Sequence, residues 1–295
     1  MMESTSTRAN PDARSQTPDD RVLLSTRLVA AFVIIILALA VWVLYLYPDQ
    51  TDQFFAWTIK PRMTSFAMGA GYAMGAYFFA RVLTSPRWHR AALGFIPITV
   101  FTIFMLLATL LHWDRFHQGT LSFELWFVVY VITPFLVPLI WLRNRGADPG
   151  TPESGDLIVP LLVRRAAGIA GLAVTLFGIL IFLIPDLAIR IWPWQLTPLT
   201  ARVLAGWLML PGIGGLVLSR ETRWSGGWRL MVEAVTLGAV LFFIGVARAW
   251  SDWQFTNPLN GLILVFLVLS LVLMLLLFVR VETMRRTLSK RIATG

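Results

Sequence analysis

Cysteine is missing from all 295 residues, which excludes disulfides, thiolate metal sites and cysteine nucleophiles. Charge is scarce too. Only 14% of residues are Asp, Glu, Lys or Arg, against about a quarter in a soluble globular chain. Histidine occurs three times. There is no phosphate-cradling Walker loop, no nucleophile elbow and no metalloprotease helix. No relay of Asp, Glu and His crosses the apolar segments, which argues against a proton-coupled pump. Lysine is nearly absent, two against twenty-three arginines. With abundant alanine, that bias suggests a GC-rich bacterial genome.

What is present is hydrocarbon: 57% of the chain is hydrophobic. Apolar runs of about 20 residues, enough to cross a ~30 Å hydrocarbon core, occur near 26–47, 62–82, 91–112, 122–142, 165–184, 199–218, 228–247 and 259–280. The remaining polar segments are too short to form a soluble domain with its own core. A cleavable signal peptide is not expected, since the first apolar run is longer than a typical 7–15-residue signal core.

The net charge of +9 would suggest nucleic acid in a soluble protein. Here its distribution gives another explanation. Assigned to alternate sides of eight spans, nineteen of the basic residues fall on one side and six on the other. The positive-inside rule then places both termini in the cytoplasm of a bacterial plasma membrane. The expected partner is the lipid bilayer, with a membrane-protein partner as a second, and no nucleic acid.

Two copies of one pattern run through the chain. A shift of 137 superposes Arg27 on Arg164, Pro48 on Pro185, Trp57 on Trp194, Pro61 on Pro198, Gly69 on Gly206, Gly75 on Gly212 and Trp113 on Trp250. Rare and geometrically special residues do not coincide this way through apolar composition alone. The expected fold is therefore an all-α integral membrane protein of about eight transmembrane helices, arranged as two parallel four-helix repeats. Its parts are a disordered cytoplasmic tail (1–25), a first repeat (26–143), a Gly/Pro/acid-rich linker (144–162), a second repeat (163–281) and a basic tail (282–295). An even number of spans per half makes the repeats parallel rather than inverted.

The second span of each half begins at proline (Pro61, Pro198) and is rich in small residues. Gly69, Gly71, Gly75, Gly206 and Gly212 are candidate packing positions, because small residues let helices approach closely in lipid. Pro134 and Pro138 in span four predict a kink or hinge. Span eight is bulky and featureless, hence peripheral. Tryptophans at the span ends, including Trp57, Trp113, Trp194, Trp250 and Trp253, suggest an interfacial belt.

Polar chemistry concentrates at the outer ends. His112, Asp114, His117 and Glu124 follow span three, and Asp252 follows span seven. Such a group could ligate a cation or move protons near neutral pH. However, His112 and His117 are five residues apart and diverge on a regular helix, and the second half has no histidine; no metal and no cofactor is expected. Glu233 and Arg202 are candidate intramembrane charges.

The strings ATLLHWDRFHQGTLSFELW, WPWQLTPLTARVLAGW and WHRAALGF resemble those of a group of multi-span bacterial integral membrane proteins. That group has no assigned activity, so the resemblance implies a bacterial membrane setting and no catalytic residue. Three functions compete: a transporter-like protein for a small molecule or lipid, a structural partner in a membrane complex, and an enzyme acting through the outer His/Asp residues. The first is favoured by the duplication and the Gly/Pro-rich spans, and an enzyme is disfavoured.

Overall fold

The computed structural model describes residues 19–294, with side chains placed through residue 288. Most of the tail expected at 1–25 therefore lies outside the described residues. Eight long helices account for the architecture: α1 (Leu24–Leu46), α2 (Arg62–Thr84), α3 (Phe95–Leu111), α4 (Leu121–Asn144), α5 (Leu161–Leu183), α6 (Pro198–Leu218), α7 (Arg229–Arg248) and α8 (Pro258–Thr294). Among the described residues, β pairing is limited to an isolated antiparallel bridge between Ile158 and Arg223. A chain this apolar must satisfy its backbone polar groups internally, and helices do so within each segment.

Seven of the eight helices are long and apolar enough to cross a membrane; α2 is not among them. It has the length, 23 residues, but glycine, serine, threonine and tyrosine dilute its apolar content. Packing accounts for that composition. Eleven residues of α2 are buried against four of α1, so α2 mostly meets protein rather than the surroundings of the bundle.

The helix pairs follow a regular scheme. α1 packs on α2 and α5 on α6, while α3 packs on α6 and α2 on α7. The third helix of each half thus lies against the second helix of the other half. Glycines permit these contacts. A side chain at Gly71 of α2 would run into the Trp207 ring of α6, and one at Gly206 of α6 would meet Met105 of α3. Gly69 faces Tyr45, Gly75 faces Leu37 and Gly212 faces Thr175. By contrast, α8 makes only sparse contact with α7 and leaves Leu262, Phe266, Leu269 and Leu276 exposed.

Some sequence expectations are corrected. α4 continues through Pro134 and Pro138, and α6 through Pro211, so neither helix is broken at its prolines. Pro198 takes the first turn of α6, but Pro61 caps α2 instead of opening it, and the Lys60–Pro61 peptide is cis. The tryptophan belt is only partial. Trp113 and Trp250 are exposed, whereas Trp57, Trp194 and Trp253 are buried.

Those buried rings form matched clusters at the end of the bundle far from the linker. Phe55 and Trp57 lie 5.0 Å apart and Trp192 and Trp194 5.4 Å apart. Trp57 and Phe116 are separated by 5.2 Å, and their counterparts Trp194 and Trp253 by 5.6 Å. The backbone follows suit: His117 N–H donates to Ala56 O at 2.9 Å, and Gln254 N–H to Pro193 O at 2.8 Å. Each pair is displaced from its counterpart by 137 positions.

Candidate functional site

The described polar chemistry gathers at the opposite end, where α2 and α6 finish and the linker passes. After α2 the chain reads Trp88-His89-Arg90. Trp88 is fully buried and its backbone N–H donates to Asp20 O at 2.9 Å. That anchor draws His89 inside, leaving it 1% exposed. Its backbone N–H donates to Asp20 Oδ1 at 3.0 Å and its Nδ1 lies 2.5 Å from Asp20 Oδ2. After α6 the same device recurs with serine. Ser225 N–H donates to Asp156 Oδ1 at 3.1 Å and its hydroxyl to Asp156 Oδ2 at 2.6 Å. The turn at 224–228 is wide and non-helical at Gly226 and Gly227; Gly227 has φ 110°, a value that favours glycine.

The two devices meet. His89 Nε2 lies 3.3 Å from Ser225 Oγ and 2.9 Å from Glu153 Oε1. Burial opposes a charge on His89, but hydrogen bonds and charges from Glu153 and Asp20 outweigh it and raise its pKa above the ordinary value. Burial would likewise raise Glu153, yet hydrogen bonds from His89 and Arg90 and the charges of Arg90 and Arg87 hold it far below the usual carboxylate range.

Asp20, His89 and Ser225 have the connectivity of a hydrolytic triad, but the protons are wrongly placed for one. Ser225 Oγ donates to Asp156 Oδ2 at 2.6 Å, and the nearer partner of His89 Nε2 is Glu153, at 2.9 Å, with Ser225 at 3.3 Å. The arrangement joins two halves and a linker.

The linker itself is strapped down. Arg223, 5% exposed, grips Asp148 at 2.7 Å and 2.9 Å, and burial of Asp148 is outweighed by that pairing, which lowers its pKa. Val159 N–H donates to Thr222 O and Trp224 N–H to Leu157 O. Between linker, α2, α7 and α8 lies a small cleft of about 50 Å³ lined by Arg81, Arg90, Arg229 and Arg285 with Glu153 and Asp156. A second, apolar groove of about 380 Å³ opens between α1 and α4. Its floor includes Tyr72 and Tyr130, whose hydroxyls bond each other at 3.1 Å.

The outer residues singled out in the sequence have separate partners. His112 Nε2 lies 2.7 Å from Arg202 Nη1, and Arg202 also donates to Phe182 O at 3.0 Å. Burial and the Arg202 charge both lower the pKa of His112. His117 instead reaches Thr58 Oγ1 and Phe55 O, each at 3.2 Å. Asp114 pairs with Arg115 on the surface, and Asp252 accepts from Met63 N–H at 3.0 Å. Glu124 is exposed in the first turn of α4. Among the described residues, no three His, Asp or Glu are placed to hold a metal ion. Glu233 lies at the linker end, where it accepts from Tyr77 at 2.8 Å and Arg229 at 2.9 Å.

The sequence reading passed over His89 and the linker acids. One signal was available: Asp20 and His89 recur as Asp156 and Ser225, both displaced by 136. Comparisons with family models, curated proteins and solved structures found no match.

Proposed function

We propose that this is a transporter-like protein of a bacterial plasma membrane, acting on a small molecule or lipid, with eight spans in two parallel repeats and both termini cytoplasmic. One observation carries the reading: a charged cleft lies at the seam between the halves, lined by Arg81 and Arg90 of the first and by Ser225, Arg229 and Arg285 of the second, and Ser225 meets its counterpart His89 beside it. Transporters built from repeats hold their ligands at the interface between the repeats, near the bilayer midplane; this cleft lies on that interface but at its linker end. For the eighth span, α2 supplies 23 residues, about 34 Å at the helical rise. The matched aromatic clusters and the crossed packing of α3 on α6 and α2 on α7 support the duplication. The nineteen-to-six distribution of basic residues supports the orientation.

Two measurements test this. Single cysteines at Gln118 and Gln195, both exposed, should react with an impermeant maleimide in intact cells, and one at Ser154 should not; the reverse pattern inverts the orientation. Protein reconstituted in liposomes should exchange a fluorescent phospholipid between leaflets, or take up labelled phosphate, faster than protein-free liposomes. If neither flux appears, the transport reading falls. An assembly role would then take its place, favoured by the long unpartnered face of α8.

A further inference from the structure

We infer that the cleft at the linker end binds a phosphate group, carried either by a phospholipid headgroup or by a soluble phosphate compound. The inference rests on the same site as the transport reading but does not require transport.

The cleft is built from four arginines on four different segments: Arg81 on α2, Arg90 after it, Arg229 on α7 and Arg285 on α8. Each stands over a less exposed carboxylate. Arg81 and Arg229, 42% and 34% exposed, share Glu233 at 14%. Arg90 rests on Glu153, and Arg285 on Glu282. The carboxylates lie beneath and the guanidinium groups face the opening.

That layering leaves donors unused. A guanidinium carries five N–H groups in a fixed fork. Arg90 spends Nε and one Nη on Glu153, and Arg285 does the same on Glu282. Arg229 donates through Nε to Glu233 and holds Nη2 3.6 Å from Glu282 Oε1. Arg81 reaches no carboxylate closer than 3.6 Å. The remaining forks converge on one space, and Asp156, the other acid of the lining, already accepts from Ser225. A tetrahedral oxyanion accepts from several guanidinium groups at once, often in bidentate pairs, which a single carboxylate or a halide cannot match. The enclosed space is small, about 50 Å³, room for the oxyanion itself, with any substituent left outside the opening.

Depth allows both sources. Arg81 and Arg229 sit at the linker-end turns of α2 and α7, and Arg285 follows the apolar stretch of α8. On a membrane-spanning reading this is headgroup level, reachable from lipid and from water.

The test uses the full-length protein. In detergent, its thermal midpoint is followed against inorganic phosphate and pyrophosphate, with chloride at matched ionic strength as control. In nanodiscs it is compared in phosphatidylglycerol and phosphatidylcholine. A saturable rise with the soluble anions assigns a soluble ligand, and a higher midpoint in phosphatidylglycerol than in phosphatidylcholine, whose phosphate charge is offset by its choline, assigns an anionic lipid phosphate. Arg81→Gln, whose ion contact is the loosest, should weaken binding by about tenfold or more, the loss of one charge-assisted hydrogen bond. Arg81→Lys should weaken it less, and both variants should keep the ligand-free midpoint. No saturable rise in any arm, or an unchanged rise in Arg81→Gln and in Arg81→Gln/Arg285→Gln, overturns the inference. Binding without flux removes the transport reading alone; flux without binding at these arginines removes the inference alone.

Discussion

Trp57 and Trp194 occupy matching places 137 residues apart, yet only Trp194 has a partner for its indole N–H. It donates to Thr64 Oγ1 at 2.9 Å, while Trp57 Nε1 is buried with none. The residue that matches Thr64 in the other half is Ala201, which has no hydroxyl to offer.

Thr64→Val should therefore cost about 1–3 kcal/mol, since it strands a buried donor. Ala201→Ser should raise the thermal midpoint by supplying the missing acceptor to Trp57. Thermal unfolding in detergent, followed by tryptophan fluorescence, reads both. Equal destabilisation by the two changes would show that the two sites are not counterparts.

Close helix contacts give a second ordering. Gly71→Leu meets the rigid Trp207 ring and should destabilise by roughly 1–3 kcal/mol. Gly206→Leu meets the flexible end of Met105 and should cost less. Val268→Phe, on the exposed face of α8, should leave stability unchanged. The same loss at all three would mean that the small residues of α2 and α6 have no special place.

His89 predicts a pH dependence. Its pKa is raised in the fold, so its contribution is fully present below its ordinary value of about 6.5. That contribution fades as pH rises through the folded value. The wild-type thermal midpoint should fall on going alkaline from neutral, and His89→Gln should flatten the decline. Glu153, held low, acts in the opposite sense and loses its contribution in acid. Parallel profiles for wild type and His89→Gln would place the titration elsewhere.

At the far end, Asp252→Ala should cost about 1 kcal/mol, because Asp252 caps an otherwise unpaired N–H in the first turn of α2. Asp114→Ala should be neutral, since its contact with Arg115 is fully on the surface. Chemical denaturation of the two variants gives the ranking, and a neutral Asp252→Ala contradicts it.

How much of this was legible follows from the distances involved. Helix positions came through because hydrocarbon length and glycine spacing are local signals. Gly71 and Gly206 were visible as small residues, but nothing local said that Trp207 and Met105 would cover them. The helix α2 shows the limit from the other side, because its small and hydroxyl residues lower its apolar content. His89 was invisible as a site: its partners lie 69 residues away at Asp20 and 136 away at Ser225. The outer residues drew notice because they cluster in sequence, and the fold then gives His112 to Arg202 and Asp252 to Met63.

The crossed packing of α3 on α6 and of α2 on α7 bears on ancestry. Each half hands its third helix to the other, like two hands clasped. A half expressed alone would show a vacant groove shaped for a helix of its own kind. On the duplication reading, a single-copy ancestor would have been an obligate homodimer, and gene fusion turned its two-fold axis into an internal seam. On that same reading, fusion would also have freed the two copies to diverge at that axis, where His89 stands in one half and Ser225 in the other.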